Sequence, residues 1–516
     1  MEAAAERNEM EEMDTDDVDV QPGLSQAEME SGHSELRFKC YADLFMWPSL
    51  FLRKIQAAAP ERLQVFDAKL QKGIQLITDY SGLGTPEICL RFLCEAFRDL
   101  VGGSSSATAT SAPLTCARAA DVDMYCRRML MAHDGPAAPA CVFGQFSERC
   151  PDHLAKKTAN LLETVRSSLP EKPSKEALLS AGQDFIRAGM QIMLSDLTVE
   201  SCWCHKHKRA CPPLPAVAAG SLSLAIAGVS CLDWSAMGNQ MMWLGDTALL
   251  VECTESIDDA LICELFPKYS LTSFELCPSS MGVPAKRPRK YMVLLRDDKF
   301  EWECGDPVSA FEELFHQPDD VDVDAAEFCC ASKEAVDACI ARFARRRGFP
   351  DKDPRGETWK LKHVMPQKLL DNIRKWEGSV RQKRDVTEGQ LCTAFMNTTQ
   401  KASRGSASPF CPVLITRSQI WSFKHQRYML LQEMAEVQGF AVVTNTPFQC
   451  PFRDIILDTD AAAEDAIPDV HVRRMLGNGM SLQCVGALLA FVLCFAVESQ
   501  PARKKRLTNR ARIRLV

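Results

Sequence analysis

Ile74-Gln75-Leu76-Ile77-Thr78-Asp79-Tyr80-Ser81-Gly82-Leu83-Gly84-Thr85-Pro86-Glu87 reads as a strand, a turn and the first turn of a helix. Ile74–Thr78 is a short apolar strand. Gly82 and Gly84 permit a tight turn, with Tyr80 and Ser81 leading into it. Pro86 and Glu87 suit the orphan amides and positive end of a helix N-terminus. The helix then carries Ile88, Leu90, Phe92, Leu93 and Phe97 on an apolar face. Strand, glycine turn and helix together place a nucleotide-like ligand against a helix N-terminus.

The same alternation continues outward from this stretch. A weak strand over 117–122 leads to a helix over 123–133, followed by a strand over 140–143 and helical sequence over 155–197. Leu222–Val229 is a buried-strand pattern that ends at Ser230-Cys231, and 248–251 and 291–295 are further strands. Strands alternating with helices predict an α/β fold around a parallel sheet. Asp121, where the second strand ends, is placed to accept hydrogen bonds from ribose hydroxyls, while Asp123 reads as the N-cap of the next helix. Cys231 and Glu252 each stand just past an apolar run, at the strand edge where α/β sheets put chemistry.

These elements divide the chain into 1–36, an acidic tail of disordered composition, and 37–66, a helical extension. A catalytic domain follows over 67–299, a looser basic domain over 300–425, a return to the catalytic domain over 426–500, and a basic tail over 501–516. Hydrophobic residues make up 46% and charged residues 25%, ordinary values for a chain with a sizeable core. The net charge of −8 conceals an asymmetry. Residues 1–36 hold 12 acids against Arg7 alone, whereas 341–427 hold 19 Lys and Arg against 7 Asp and Glu. A block of that sign can follow a phosphate backbone, and Arg345-Arg346-Arg347 opens it. The first residues are acidic rather than basic and then apolar, unlike a secretory leader. With 23 scattered cysteines, this predicts free thiols in a reducing compartment.

Two stretches invite other readings. Leu482–Val497 is a 16-residue apolar run followed by Arg503-Lys504-Lys505-Arg506. It is shorter than the roughly 20 residues a membrane span wants, so a buried final helix is expected, with no membrane. The basic run reads as a nuclear address. Cys202-Trp203-Cys204-His205-Lys206-His207 with Cys211 has metal-ligand chemistry, but the ligands are crowded and no second cluster completes the usual spacing. No metal is expected there.

The order of the remaining pieces is distinctive. After the YSGLG turn come Gly228-Val229-Ser230-Cys231, then Leu250-Val251-Glu252-Cys253-Thr254, then Val283-Pro284-Ala285-Lys286-Arg287-Pro288-Arg289. Far downstream lie LLQEMAEVQGF, ending at Gln438-Gly439-Phe440, and MLGNGMSLQCVG. This series resembles the cytosine-5 DNA methyltransferase family, in order, over roughly 74–497. The resemblance implies a Rossmann-like S-adenosylmethionine methyltransferase fold with a target-recognition domain over 300–425, and a nuclear enzyme acting on double-stranded DNA. Cytosine would be flipped into the pocket, with cytosine in RNA as the sister substrate. Cys231 would be the nucleophile, Glu252 the partner of ring nitrogen 3, and Arg287 and Arg289 the forks that orient base and glutamate. Tyr80, Ser81, Gly82, Gly84, Asp121, Gln145 and Asn478 would surround the cofactor, the Gly477-Asn478 turn closing its pocket. Arg345, Arg346, Arg347, Gln438 and Gly439 would contact nucleic acid.

The departures from the family pattern are specific. Ser230 stands in place of proline, Cys253-Thr254 in place of Asn-Val, Ala285 in place of glutamine, and Gln145 in place of an aspartate facing the adenine amine. Cys231 and Glu252 are separated by 20 residues, too few for a mobile loop, a full helix and a strand. That short segment favours a nucleic-acid-binding module that has lost catalysis. Retention of Cys231, Glu252, Arg287 and Arg289 together favours the enzyme.

Overall fold

The computed structural model describes residues 36–102, 114–149, 151–193, 200–213, 221–228, 248–253, 257–317, 321–350, 360–383, 395–399, 410–457 and 467–499. Cys231, the acidic residues 1–35, most of the Ser/Ala/Thr stretch after Gly102, and the basic tail lie outside the described residues. From Arg37 onward the chain forms one unit.

Nine strands make one mixed sheet: β1 (Ile74–Asp79), β2 (Thr115–Ala120), β3 (Cys141–Phe143), β4 (Cys202–Cys204), β5 (Arg209–Cys211), β6 (Leu222–Gly228), β7 (Ala248–Cys253), β8 (Tyr269–Leu276) and β9 (Arg289–Arg296). Their spatial order is β5-β4-β3-β2-β1-β6-β7-β9-β8. Strands β3, β2, β1, β6 and β7 are parallel, while β9 runs antiparallel to both β7 and β8. From β1 the chain moves to β2 on one side, and β6 joins on the other. The crevice above the carboxyl ends of β1 and β6 is therefore the topological switch point where such sheets take ligands.

Both faces of the sheet are covered, so the central strands are apolar almost throughout. Residues alternate across the pleat. Leu224, Ile226 and Leu250 enter the main core, while Ala225, Ala227, Leu249 and Val251 pack with Leu154, Leu261 and Ile262 on the opposite face. The helix Leu482–Phe495 is buried at all 14 positions and packs against the helices Trp47–Ala58, Glu61–Lys72 and Thr85–Leu100. A helix apolar all round belongs in a core, and each fully buried Leu or Phe there contributes about 1.5–3 kcal/mol. The supposed helical extension is thus one layer of the main unit.

Five further strands are small: β10 (Phe300–Trp302), β11 (Phe395–Asn397), β12 (Ile420–Ser422), β13 (Arg427–Tyr428) and β14 (Ala496–Glu498). The expected domain boundary at 300 is displaced. β10 pairs with β14, and Phe311, Leu314, Phe315 and Phe328 enter the main core, so 300–317 and 321–331 belong to the main unit. A separate small core begins near the helix Lys333–Arg346 and gathers Ile340, Leu361, Val364, Trp376, Trp421 and Phe423 beside the β11-β12-β13 sheet.

Candidate active site

The turn after β1 is held from beneath. Tyr80, Gly82 and Gly84 all have positive φ, at 56°, 55° and 78°. Gly84 also lies against His133: a Cβ there would stand 2.6 Å from Nε2. His133 bonds the Leu83 carbonyl through Nε2 at 3.1 Å, and burial pushes its pKa down to about 4. Ser81 is buried and donates to Thr78 Oγ1 at 2.7 Å, which in turn donates to Glu87. Ser81 and Gly84 therefore shape the turn from below, while Tyr80 and Gly82 line the cavity above it.

That cavity measures about 790 Å³ and opens over the switch point. Tyr80 and Gly82 line it after β1, Asp121 to Arg127 after β2, Gly228 at the end of β6, and Glu252 and Cys253 at the end of β7. Arg287, Arg289, His471, Arg474, Met475, Gly477 and Asn478 complete the wall. Its size suits a nucleoside-sized ligand plus a base. Asp121 accepts the Gly82 N–H on Oδ2 at 2.9 Å and the Asp123 N–H on Oδ1 at 2.8 Å. Burial pushes its carboxyl up, and those two N–H groups pull it back. Asp123 caps the helix Met124–Met131 by accepting the Tyr125 N–H, and pairs with Arg474 across the cavity mouth. Tyr125 and His471 pack ring against ring there, with centroids 4.2 Å apart. Asn478 is the last residue of the helix Asp469–Asn478, so the expected Gly477-Asn478 turn is a helix end. Gln145 is exposed beyond the carboxyl end of β3 and is not part of the cavity wall.

At the inner end, Glu252 stands opposite Gly228 in the β6–β7 register. A Cβ on Gly228 would lie 2.7 Å from Met480 Cε, the end of a flexible side chain, and 3.4 Å from the Tyr80 carbonyl, so a larger residue would narrow this floor and displace the Met480 methyl. Glu252 is 5% exposed, and burial pushes its carboxyl up against the pull of Arg287 and Arg289. Arg289 Nε lies 3.3 Å from Glu252 Oε1, yet among the described residues no aligned hydrogen-bond donor reaches that oxygen. A buried acceptor without a donor is costly unless a ligand supplies one.

Arg287 takes a different part from Arg289. Its guanidinium donates to the Leu414 carbonyl at 3.0 Å and to the Gly477 carbonyl at 3.3 and 3.2 Å. It fastens the segment around Leu414 and the helix Asp469–Asn478 over the cavity instead of meeting Glu252 directly.

Outside the cavity, Arg345, Arg346 and Arg347 are exposed at the end of the helix Lys333–Arg346. Arg346 and Arg347 border a second cavity of about 610 Å³ whose lining also includes Arg342, Arg427 and Arg473. Gln438 and Gly439 are buried, which corrects their expected nucleic-acid role. Gln438 Nε2 donates to the Leu476 carbonyl, and its own carbonyl accepts the Leu482 N–H, so this corner docks two helices. The motif's acids are structural as well: Glu433 takes the Arg427 fork at 2.7 and 2.6 Å.

Sequence reasoning missed a buried ion cluster under the β1 turn. Asp79 accepts from Arg118 at 2.8 Å and from Arg149 at 2.7 Å, all three within the protein. The available signal was Arg118 itself, a lone charge in the otherwise small strand Cys116-Ala117-Arg118-Ala119-Ala120. Removing one partner of such a cluster leaves a buried charge uncompensated.

Sheet order, switch-point cavity and antiparallel β9 together make an α/β fold of the Rossmann-like kind expected from the sequence. No family model matches the chain, and no curated relative does. Among solved structures, it is similar to a mutant of Spodoptera frugiperda DNMT2 at 11% identity and a TM-score of 0.35, covering 81% of this chain and 99% of that one. S. pombe Dnmt2 methyltransferase matches at 12% and 0.34, covering 81% and 98%. A putative DNA modification methyltransferase encoded within an E. coli prophage matches at 12% and 0.37, with the same coverage.

Proposed function

We propose that the chain is a cytosine-5 methyltransferase acting on DNA, with S-adenosylmethionine as methyl donor. The observation that carries this reading is Glu252: a buried carboxylate beside Arg289 at the floor of the switch-point cavity, one oxygen of which meets no donor among the described residues. The residues around the cavity fit the donor. The open floor at Gly228, the acceptor Asp121, the turn at Tyr80 and Gly82, and Asn478 would hold it, and when bound it supplies an electrophilic methyl group.

The chain's own residues then divide the work. Cys231 follows Gly228 by three residues, a reach of at most about 11 Å. Its thiolate would add to carbon 6 of a flipped cytosine, forming a carbon–sulfur bond and moving the ring's double-bond electrons toward carbon 5. Glu252, its carboxyl pushed up by burial, would share a proton with ring nitrogen 3 as that charge develops. Once carbon 5 had used that electron pair to take the donor's methyl group, the donor leaving in demethylated form, loss of the carbon 5 proton would return the electrons of its bond to the ring and the thiolate would leave. Arg287 keeps the cavity wall in place, and Arg345, Arg346 and Arg347 would bind phosphates.

A duplex containing 5-fluorocytosine tests this reading, because fluorine removes the proton whose loss frees the cysteine. A covalent adduct that requires S-adenosylmethionine and disappears in Cys231→Ser is expected. Cofactor and DNA binding with no adduct in any sequence context would leave a binding module without catalysis. The 19 residues between β6 and β7 make that the competing outcome, although they do suffice for the observed parallel pairing. Adduct formation on RNA alone would transfer the reading to RNA cytosine.

A further inference from the structure

We propose that Cys141, Cys204, His207 and Cys211 bind one zinc ion that fastens the β4–β5 hairpin to the sheet. The four donor atoms lie within 4.8 Å of one another. His207 Nδ1 stands 3.6 Å from Cys141 Sγ, 3.5 Å from Cys204 Sγ and 3.4 Å from Cys211 Sγ. Hydrogen bonding cannot account for all three, because one imidazole nitrogen has a single proton or a single lone pair to offer. A shared tetrahedral ion does. With zinc–sulfur bonds of about 2.3 Å and a zinc–nitrogen bond of about 2.0–2.1 Å, each nitrogen–sulfur edge of the tetrahedron comes to about 3.5 Å.

The hairpin is shaped to present these ligands. Cys202 pairs with Cys211 and Cys204 with Arg209, which brings Cys204 and Cys211 onto neighbouring strands. Between them the chain turns sharply, with Lys208 at φ 55° and its N–H bonded to the Cys204 carbonyl at 2.9 Å. The His207 N–H points to Cys204 Sγ at 3.5 Å, as suits a sulfur that carries negative charge. Lys206, Lys208 and Arg209 adjoin the cluster in sequence and offset the charge of three thiolates on one divalent ion.

Cys141 completes the set from a strand more than 60 residues upstream in the chain. The attachment it reinforces is thin. β3 has three residues and meets β4 only at Phe143 and Cys204, with one further bond from the His205 N–H to the Val142 carbonyl. Three sulfurs and one nitrogen are a soft donor set that selects zinc over magnesium or calcium. All four positions come from the protein, so the site is structural, with no open position for substrate.

The test uses the full chain, purified under reducing conditions without a metal-chelating tag. Elemental mass spectrometry should find one zinc per chain. Cobalt substitution should give thiolate-to-cobalt charge transfer and the strong visible bands of a tetrahedral site. Cys141→Ser should weaken zinc at least tenfold in competition with a chromophoric chelator, whereas Cys202→Ser, next to the cluster, should keep it. Should Cys141→Ser not fold, alkylation of the unaltered protein decides: zinc should protect Cys141, Cys204 and Cys211 together, and a chelator should expose all three. Absence of stoichiometric metal in the reduced, folded protein overturns the proposal. So does a disulfide among these cysteines in that protein, or zinc retained undiminished by Cys141→Ser.

Discussion

Asp121 carries two loads, and Asp121→Ala separates them. The carboxylate accepts two backbone N–H bonds, from Gly82 at 2.9 Å and Asp123 at 2.8 Å, and so locks the turn after β1 to the turn after β2. Hydrogen bonds to a charged acceptor contribute about 1.5–3 kcal/mol each, so deleting both costs about 3–6 kcal/mol before compensation. The cavity admits water to the freed N–H groups, and the penalty of burying the carboxylate disappears. A net loss of about 2–4 kcal/mol follows. The second load, on the proposed function, would be the cofactor's ribose. Losing a charged acceptor for its hydroxyls should weaken S-adenosylmethionine or its demethylated product roughly 10–100-fold. Loosening the turn would also lower affinity, so calorimetry should include a cofactor analogue lacking a ribose hydroxyl. Unaltered protein should lose affinity for that analogue, while Asp121→Ala should bind cofactor and analogue alike. An equal analogue penalty in both proteins would falsify the ribose role, and an unchanged unfolding midpoint would remove the structural one.

Three other expectations follow from the site. Arg287→Lys trades a three-bond fork for a single ammonium and should cost about 2–3 kcal/mol, read by thermal or denaturant unfolding; a shift below 0.5 kcal/mol, roughly the effect of a surface substitution, refutes the clamp. His133 is buried, with its pKa pushed down to about 4, below its unfolded value of about 6.5. From about pH 6.5 down to 4 the unfolded chain binds a proton that the folded chain refuses, so stability should fall across that window by roughly 3 kcal/mol. His133→Gln should flatten the profile by that amount, and parallel profiles for the two proteins would count against the assignment. Reversing Arg345, Arg346 and Arg347 to glutamate should lower the slope of log affinity against log salt by about 2–3 on any DNA; an unaltered slope moves the phosphate contacts elsewhere.

The central strands were legible because parallel strands buried on both faces must be apolar, and β1, β6 and β7 are. β8 was not: at the sheet edge it mixes buried, half-buried and exposed positions, so no apolar run marks it. The boundary at 300 was misread because what ties 300–317 and 321–331 to the main unit is the pairing of β10 with β14, nearly 200 residues away in sequence. The places of Asp121, just past β2, and of Glu252, near the end of β7, were legible from the apolar runs that precede them. The burial of Gln438 and Gly439 was not, since a helix-docking corner and a surface loop use the same residue types. Cys141 gave no local sign either, because only the adjacency of β3 and β4 brings it to His207.

The helix Leu482–Phe495 sets the order in which this protein can be made. It leaves the ribosome long after Trp47–Ala58, Glu61–Lys72 and Thr85–Leu100, the helices against which it packs. Until it emerges, the early helices present an uncovered apolar face, and the sheet lacks one of its covering layers. Domains that complete themselves only at the end of synthesis expose such surfaces longest and depend most on chaperones. Chain termination anywhere before Leu482 would therefore leave a sticky, incomplete core rather than a smaller folded unit.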